Sequence, residues 1–353
     1  MARAMRFEPR ERVSVLAAAA APLAGVAVAL LLCSVLILWT GESVLEAYWL
    51  LLKGAFGTKF AITETLSRAT PLILTGLAAA VAFRAKFWNI GAEGQLYCGA
   101  LAATWVGTGL LILPPVLMIP LLFLAGALGG GAALLVPVIL KNRLKVDEVV
   151  TTLLLNFIIL LFVSYLLEGP LKDPMLMGWP QAAPIIDEGV LPRLVERSRL
   201  HLGLVVAVGA ALMVWLVMTF TVWGYEIRAV GHNAAAAAFS GIKINRTIIR
   251  TALLSGGLAG MAGVTEVAGL KGYLTLDLSP GFGYAGIAVA MLAQLHPIGV
   301  LASALFLSAI YVGADSMSRG VNIPTYIADV LVATSMLAVV LSVMLTRFRI
   351  RFN

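Results

Sequence analysis

The chain has 353 residues, 61% of them hydrophobic and only 12% charged, with a formal net charge of +7. An ordinary soluble domain carries about 25% charged residues, and one core of this size would leave too little polar sequence to cover its surface; the mean hydropathy of +0.98 therefore indicates an all-α polytopic membrane protein. Cys33 and Cys98 both lie in apolar surroundings, so neither a disulfide framework nor a thiolate metal site is indicated.

Allowing about 20 apolar residues per crossing and cutting at charge clusters and Pro/Gly turns gives about ten spans. They fall at 14–39, 69–83, 96–113, 115–140, 149–167, 201–222, 250–270, 283–296, 298–314 and 323–346. The first is too long for a secretory signal and lacks its small-residue cleavage pattern, so it reads as a retained span. The second and eighth are shorter than a full crossing and suggest broken or tilted helices continuing into glycine-rich neighbours. Spans divided five and five would place equivalent halves in opposite orientation, an inverted repeat expected from parity alone, since no sequence match between the halves is visible.

With the N-terminus in the cytoplasm, most basic residues collect on that side, among them Arg84, Lys86, Lys141, Arg143, Arg228, Arg250, Arg347, Arg349 and Arg351, and both termini are cytoplasmic. Anionic lipid on the inner leaflet accounts for this balance without nucleic acid. Segments 41–68 and 168–200 are then periplasmic. Ala55 to Leu66 suggests a short amphipathic surface helix, while Pro170, Pro174, Pro180, Pro184 and Pro192 predict an ordered loop with one short helix near 188–197. Either segment would serve as a simple solvated connection or receive an extracytoplasmic partner.

The polar passage FRAKFWNIGAEGQLYCG, residues 83–99, stands between two apolar runs. Asn89, Glu93 and Gln95 are costly in hydrocarbon unless they face protein, a polar cavity or the interface, so they either line or gate a conduit or fix a helix turn. Gly91, Gly94 and Gly99 allow close packing or a helix break. In DEVVTTLLLN, residues 147–156, Asp147 can cap a helix, and Thr152 and Asn156 share one face four residues apart. The threonines either bond their own preceding carbonyls or join Asn156 toward a pathway. In the loop 223–246, Asn233 can cap a short helix over Ala234 to Phe239 that Gly241 ends. Such a helix suits mechanical contact with a partner, against the plainer reading of a solvated connector. Glu266 and Asp277 flank Lys271, either being a candidate to pair with it, to help close an outer gate or simply to stay hydrated at the interface, and His296 beside Pro297 marks a cytoplasmic turn. Asp329 is a further potentially buried acid in the last span.

FWNIGAEGQL, DEVVTTLLLN, EIRAVGHNAAAAAFSGI and GYAGIAVAMLAQLHPIG, in that order between about residues 60 and 346, resemble the permease subunits of bacterial ABC importers for branched-chain amino acids, simple sugars and nucleosides. NIGAEGQ together with TPLILTGLAAAVAFR at 70–84 is most similar to the nucleoside branch. The resemblance implies one permease domain over 1–353 in the bacterial inner membrane, moving nucleosides by alternating access. It also implies a second, related permease chain, ATPase subunits holding ATP and Mg2+, and a periplasmic or lipid-anchored binding protein. On this resemblance Asn89, Glu93, Gln95, Thr152, Asn156 and Asp329 are pathway or gate candidates. Trp88, Phe157 and Tyr284 would either stack a base or pack against core and lipid. Glu226, Arg228, Gly231, His232, Asn233, Phe239 and Gly241 would form the loop that couples to an ATPase, although alanines 234–238 stand where relatives carry more polar, often charged residues. The chain has no P-loop and no HExxH, so it is not expected to be an enzyme or to bind a cofactor or metal of its own. The alternatives are a simple-sugar permease of ribose or galactose type, a branched-chain amino-acid permease, and an ion-coupled secondary transporter.

Overall fold

The computed structural model describes residues 5–9, 14–175, 178–321 and 324–352. The elements, in chain order, are β1 (Met5–Pro9), α1 (Val15–Trp39), α2 (Val44–Phe56), α3 (Lys59–Arg84), α4 (Ala92–Trp105), α5 (Pro115–Leu144), α6 (Glu148–Glu168) and α7 (Gly203–Phe220), then α8 (Val222–His232), α9 (Ala234–Phe239), α10 (Ile244–Val264), α11 (Phe282–Leu292), α12 (Pro297–Gly320), α13 (Thr325–Arg347) and β2 (Phe348–Phe352). Among the described residues, seven helices are long and apolar enough to cross a membrane: Lys59–Arg84, Pro115–Leu144, Glu148–Glu168, Gly203–Phe220, Ile244–Lys271, Pro297–Gly320 and Asp329–Thr346. Alpha helices satisfy their own backbone groups, which hydrocarbon requires.

The chain divides into two compact units, residues 1–65 with 306–353, and residues 66–305. In the first, α1 packs along α13 so closely that a side chain on Gly25 would meet the Val339 backbone at 2.6 Å. Alpha-2 lies on the C-terminal part of α12, with Gly313 and Gly320 facing Leu51 and Leu50. Their common core contains Cys33, Ile37, Met317 and Leu331. Beta-1 and β2 pair antiparallel, Phe7 opposite Ile350. This ribbon carries no apolar run long enough to announce itself in sequence.

The second unit is built on a seam of small residues joining α4, α5 and α10. Gly99 and Gly126 both face Gly260, and Gly130 faces Gly256. A Cβ on Gly260 would stand 2.0 Å from the Gly126 carbonyl oxygen, so the backbones themselves are in contact. Helices α4 and α10 each end in a wider π turn, at Val106–Leu110 and Thr265–Lys271. The proline-rich segment straps these turns. The amides of Ile186, Ile185 and Leu191 donate to the carbonyls of Gly107, Gly272 and Ala268 at 2.9, 2.8 and 2.9 Å, satisfying groups that regular helix geometry would have paired.

Several expectations are corrected. The surface helix expected at 55–66 is instead split. Ser43 caps α2, which stops before Gly57, and Thr58 accepts from the Ala61 amide at 3.0 Å to start α3. The run at 69–83 belongs to this unbroken 26-residue helix, which tolerates Pro71. Near 188–197 there is only a 3-10 turn at Asp187–Gly189, then an isolated bridge between Arg193 and His201, because Pro192 interrupts helical bonding. Asp329 is exposed on α13, not buried. Alpha-11 is short, as the eighth run suggested, ending in a turn where both Gln294 and Leu295 have positive φ.

Candidate functional site

At the end of α3 the chain leaves helical geometry through Lys86, whose φ is 54°, and does not resume it until Ala92. The intervening backbone groups need partners in a buried place, and the polar residues supply them. Asn89 Oδ1 accepts from the Gly91 amide at 3.0 Å and from Gln95 Nε2 at 2.8 Å. Asn89 Nδ2 donates to Gln95 Oε1 at 2.9 Å and to Ser255 Oγ at 3.0 Å. Ser255 in turn donates to the Ala78 carbonyl of α3 at 2.7 Å. The two amides thus form a reciprocal pair, fully removed from solvent.

One face of α6 reads the same turn at four-residue intervals. Asp147 caps the helix, accepting from the amides of Val149 and Val150 at 2.8 and 3.2 Å. Glu148 accepts from the Trp88 amide and pairs with Lys141, whose ammonium lies 5.2 Å from the Phe87 ring centre. Thr152 Oγ1 donates to the Glu148 carbonyl at 2.7 Å while accepting from the Ile90 amide at 3.3 Å. Asn156 donates to the Ile90 carbonyl at 3.0 Å and accepts from the Gly94 amide at 2.9 Å. Its Nδ2 also donates to the Tyr284 hydroxyl at 3.1 Å.

Glu93 sits where the first turns of two helices meet. Its Oε2 accepts from the Gly283 amide of α11 at 2.7 Å, and the Ser279 hydroxyl also bonds it. A carboxylate is well placed there because each helix N-terminus carries partial positive charge. The approach is close enough that a Cβ on Gly283 would come within 2.2 Å of the Glu93 nitrogen. Tyr97, one turn further along α4, donates to the Leu276 carbonyl at 2.5 Å and accepts from the Ser279 amide at 3.3 Å.

The expected polar residues Asn89, Glu93, Gln95, Thr152 and Asn156 are therefore brought together and buried. Asp329 lies in the other compact unit. Of the aromatics, Phe157 is 55% and Tyr284 38% exposed beside Asn156, while Trp88, 41% exposed, packs edge-on against Phe83 with ring centres 4.8 Å apart. Sequence reasoning missed Glu148, Ser255, Ser279 and Tyr97. Glu148 had a visible signal, the spacing Glu148, Thr152, Asn156; the others are joined to the site only through distant segments.

In the loop 223–246, Thr221 caps α8 through the Gly224 amide. Gly224, Ile227, Val230 and Gly231 form its buried face, and Glu226 accepts from Thr247 at 3.3 Å. Arg228 is half-buried, whereas His232 and Asn233 are exposed. Asn233 Oδ1 accepts from the Ala236 amide at 3.1 Å to cap α9, and Gly241, at φ 84°, follows its end. Phe239 projects almost wholly free of the chain. Outside the membrane-spanning helices, Asp277 pairs with Lys271 at 2.9 Å; the Thr275 hydroxyl and this contact hold the Asp277 carboxyl below its usual range.

Residues 61–340 match the family described as branched-chain amino acid transport system / permease component. A glucose ABC transporter permease protein of Haloferax volcanii is 33% identical over 98% of this chain and 93% of its own length. A guanosine ABC transporter permease protein of Bacillus subtilis is 35% identical over 90% of this chain and 92% of its own, and a nucleoside ABC transporter permease protein of Lactococcus lactis is 33% identical over 88% of each. No solved structure matches the chain.

Proposed function

The chain belongs to the branched-chain amino acid transport system permease family, and on that premise we propose that it forms the passage of an ABC importer for a neutral, hydroxyl-rich solute, first a simple sugar and second a nucleoside. It is a non-catalytic permease, a multi-pass protein of the bacterial cytoplasmic membrane, working with ATPase and substrate-binding partners. The observation that carries the sugar reading is the glucose permease similarity across nearly the whole of both chains. The guanosine and nucleoside permeases, similar to a comparable degree, favour the second reading.

In this reading the ten apolar runs are ten crossings in two inverted halves. The pairing of β1 with β2 supports termini on one side, and the basic balance favours the cytoplasmic side. Segments 41–68 and 168–200 then face the periplasm. Phe157, Tyr284 and the Asn156 and Glu93 groups behind them border the passage, where an aromatic ring covers the apolar face of a sugar or base. Asn89, Gln95 and Thr152 brace this wall and meet the solute only if the turn opens. His232, Asn233 and Phe239 face the ATPase, with contact dominated by apolar surface rather than a salt bridge.

The test is reconstitution with the partner permease, ATPases and binding protein, comparing ATP-dependent uptake of glucose, ribose, guanosine, uridine and leucine. Glucose or ribose uptake above guanosine and uridine is the expected result. Preference for a nucleoside selects the second reading, preference for leucine overturns both, and uptake that persists with inactive ATPases overturns the ABC mechanism.

A further inference from the structure

The buried face of α8 ends at Gly231, and Gly231 rests on the last residue of α3. A Cβ there would stand 1.9 Å from the Arg84 carbonyl oxygen and 2.9 Å from its carbonyl carbon, so no larger residue fits without moving one of the two helices. Arg84 has a second attachment through its side chain, the Nε donating to the Leu295 carbonyl at 3.1 Å. Leu295 lies in the turn between α11 and α12, where Gln294 and Leu295 have φ values of 54° and 60°. Two successive non-glycine residues in left-handed geometry hold strain that the surroundings must support. The same residue therefore seats α8 by its backbone and ties the α11–α12 turn by its guanidinium.

Two routes lead from Arg84 to the same cluster. Along the chain, the turn 85–91 is held by Glu148, Thr152 and Asn156. From the turn holding Leu295, α11 leads back to Gly283, whose amide donates to Glu93 and whose neighbour Tyr284 accepts from Asn156. Displacement of α8 would thus move both ends of one closed ring of contacts.

We propose that Gly231 and Arg84 form the joint that transmits movement of the cytoplasmic helix α8 to the Glu93, Asn156 and Tyr284 cluster, making both of them positioning residues for energy coupling. This rests on the importer reading above.

The experiment uses the complete importer in proteoliposomes, with radiolabelled glucose and guanosine as probes, and records solute imported per ATP hydrolysed. Gly231→Ala, Gly231→Val, Arg84→Lys and Arg84→Gln are compared with the parent, with co-purification of the ATPases measured for each. The ratio is expected to fall about tenfold in Gly231→Val and Arg84→Gln, the scale of a typical coupling energy, less in Gly231→Ala, and to be partly restored in Arg84→Lys, which keeps a cationic donor. A residue that only supports folding lowers the amount of assembled complex and leaves the ratio unchanged. A parent-like ratio in Gly231→Val or Arg84→Gln, or uptake and hydrolysis falling in proportion, overturns the joint. Lack of ATP-dependent uptake of either probe by the parent instead overturns the importer reading for these solutes.

Discussion

Asn89 and Gln95 show how one buried pair can replace the backbone bonds that a helix break forfeits. Their amides satisfy each other and the Gly91 amide, with Ser255 completing the set. In Gln95→Leu the donor and acceptor of Asn89 lose a partner without gaining water, a loss of about 1–3 kcal/mol. Thermal unfolding in detergent should show a clear drop in Tm, and an unchanged melting curve would mean that the pair does not brace the turn. His201, just before α7 and outside it, carries a different liability. It is 1% exposed, its Nδ1 accepts from the Gly203 amide at 3.1 Å, and burial pushes its pKa down to about 4. The unfolded chain therefore takes up the proton first, so stability is full above about pH 6.5 and declines as pH falls from there toward 4. Between pH 7 and 5 the decline should be about 2 kcal/mol. His201→Gln should flatten that part of a Tm-against-pH profile; an equally steep profile in the variant would assign the acid sensitivity elsewhere.

At the scale of elements, what matters most is how near the helix axes come. The α5–α10 contact is made by glycines, and its tolerance differs sharply between neighbours. At Gly260 an added methyl meets the Gly126 carbonyl at 2.0 Å, whereas at Gly257 the nearest atom is the Ala127 carbonyl oxygen at 3.4 Å. Gly260→Ala should therefore cost about 1–3 kcal/mol through forced separation of the helices. Gly257→Ala should be neutral or stabilising by up to about 1 kcal/mol, since alanine is the better helix former. Folded yield and Tm of the two purified variants decide this, and equal behaviour would show that the seam is more pliant than its distances imply. Local signals at this scale were readable in the sequence. Asp147 does cap α6, and Asn233 and Gly241 do bound α9, because capping joins residues two to four positions apart. The surface helix expected at 55–66 failed because Gly57 and Thr58 end one helix and start another, a break that apolar patterning alone conceals.

For the whole molecule, the two ends of the chain are paired, Phe7 opposite Ile350 in an antiparallel ribbon. Opposed residues in such a pair have Cα atoms about 4.5–5.5 Å apart, within disulfide reach. With Cys33 and Cys98 replaced by alanine, Phe7→Cys together with Ile350→Cys should cross-link under mild oxidation, giving a band of altered mobility that reductant abolishes. Absence of the cross-link would contradict the pairing. Labelling of each single cysteine by an impermeant reagent, from one side of sealed vesicles at a time, places the ribbon; the basic balance predicts the cytoplasmic side.

The sequence by itself determined that this is an all-α membrane protein, where most apolar segments lie, which passage is polar, and the family to which it belongs. These properties follow from composition, from near-neighbour spacing and from an ordered succession of motifs. Only tertiary structure decided what the polar residues do for one another. Trp88 meets Glu148 across 60 positions, Asn89 meets Ser255 across 166, and Arg84 meets Leu295 across 211. Bonds between such distant residues depend on where whole helices come to rest, and those positions are set by backbone contact at glycines that, in sequence, look like any others.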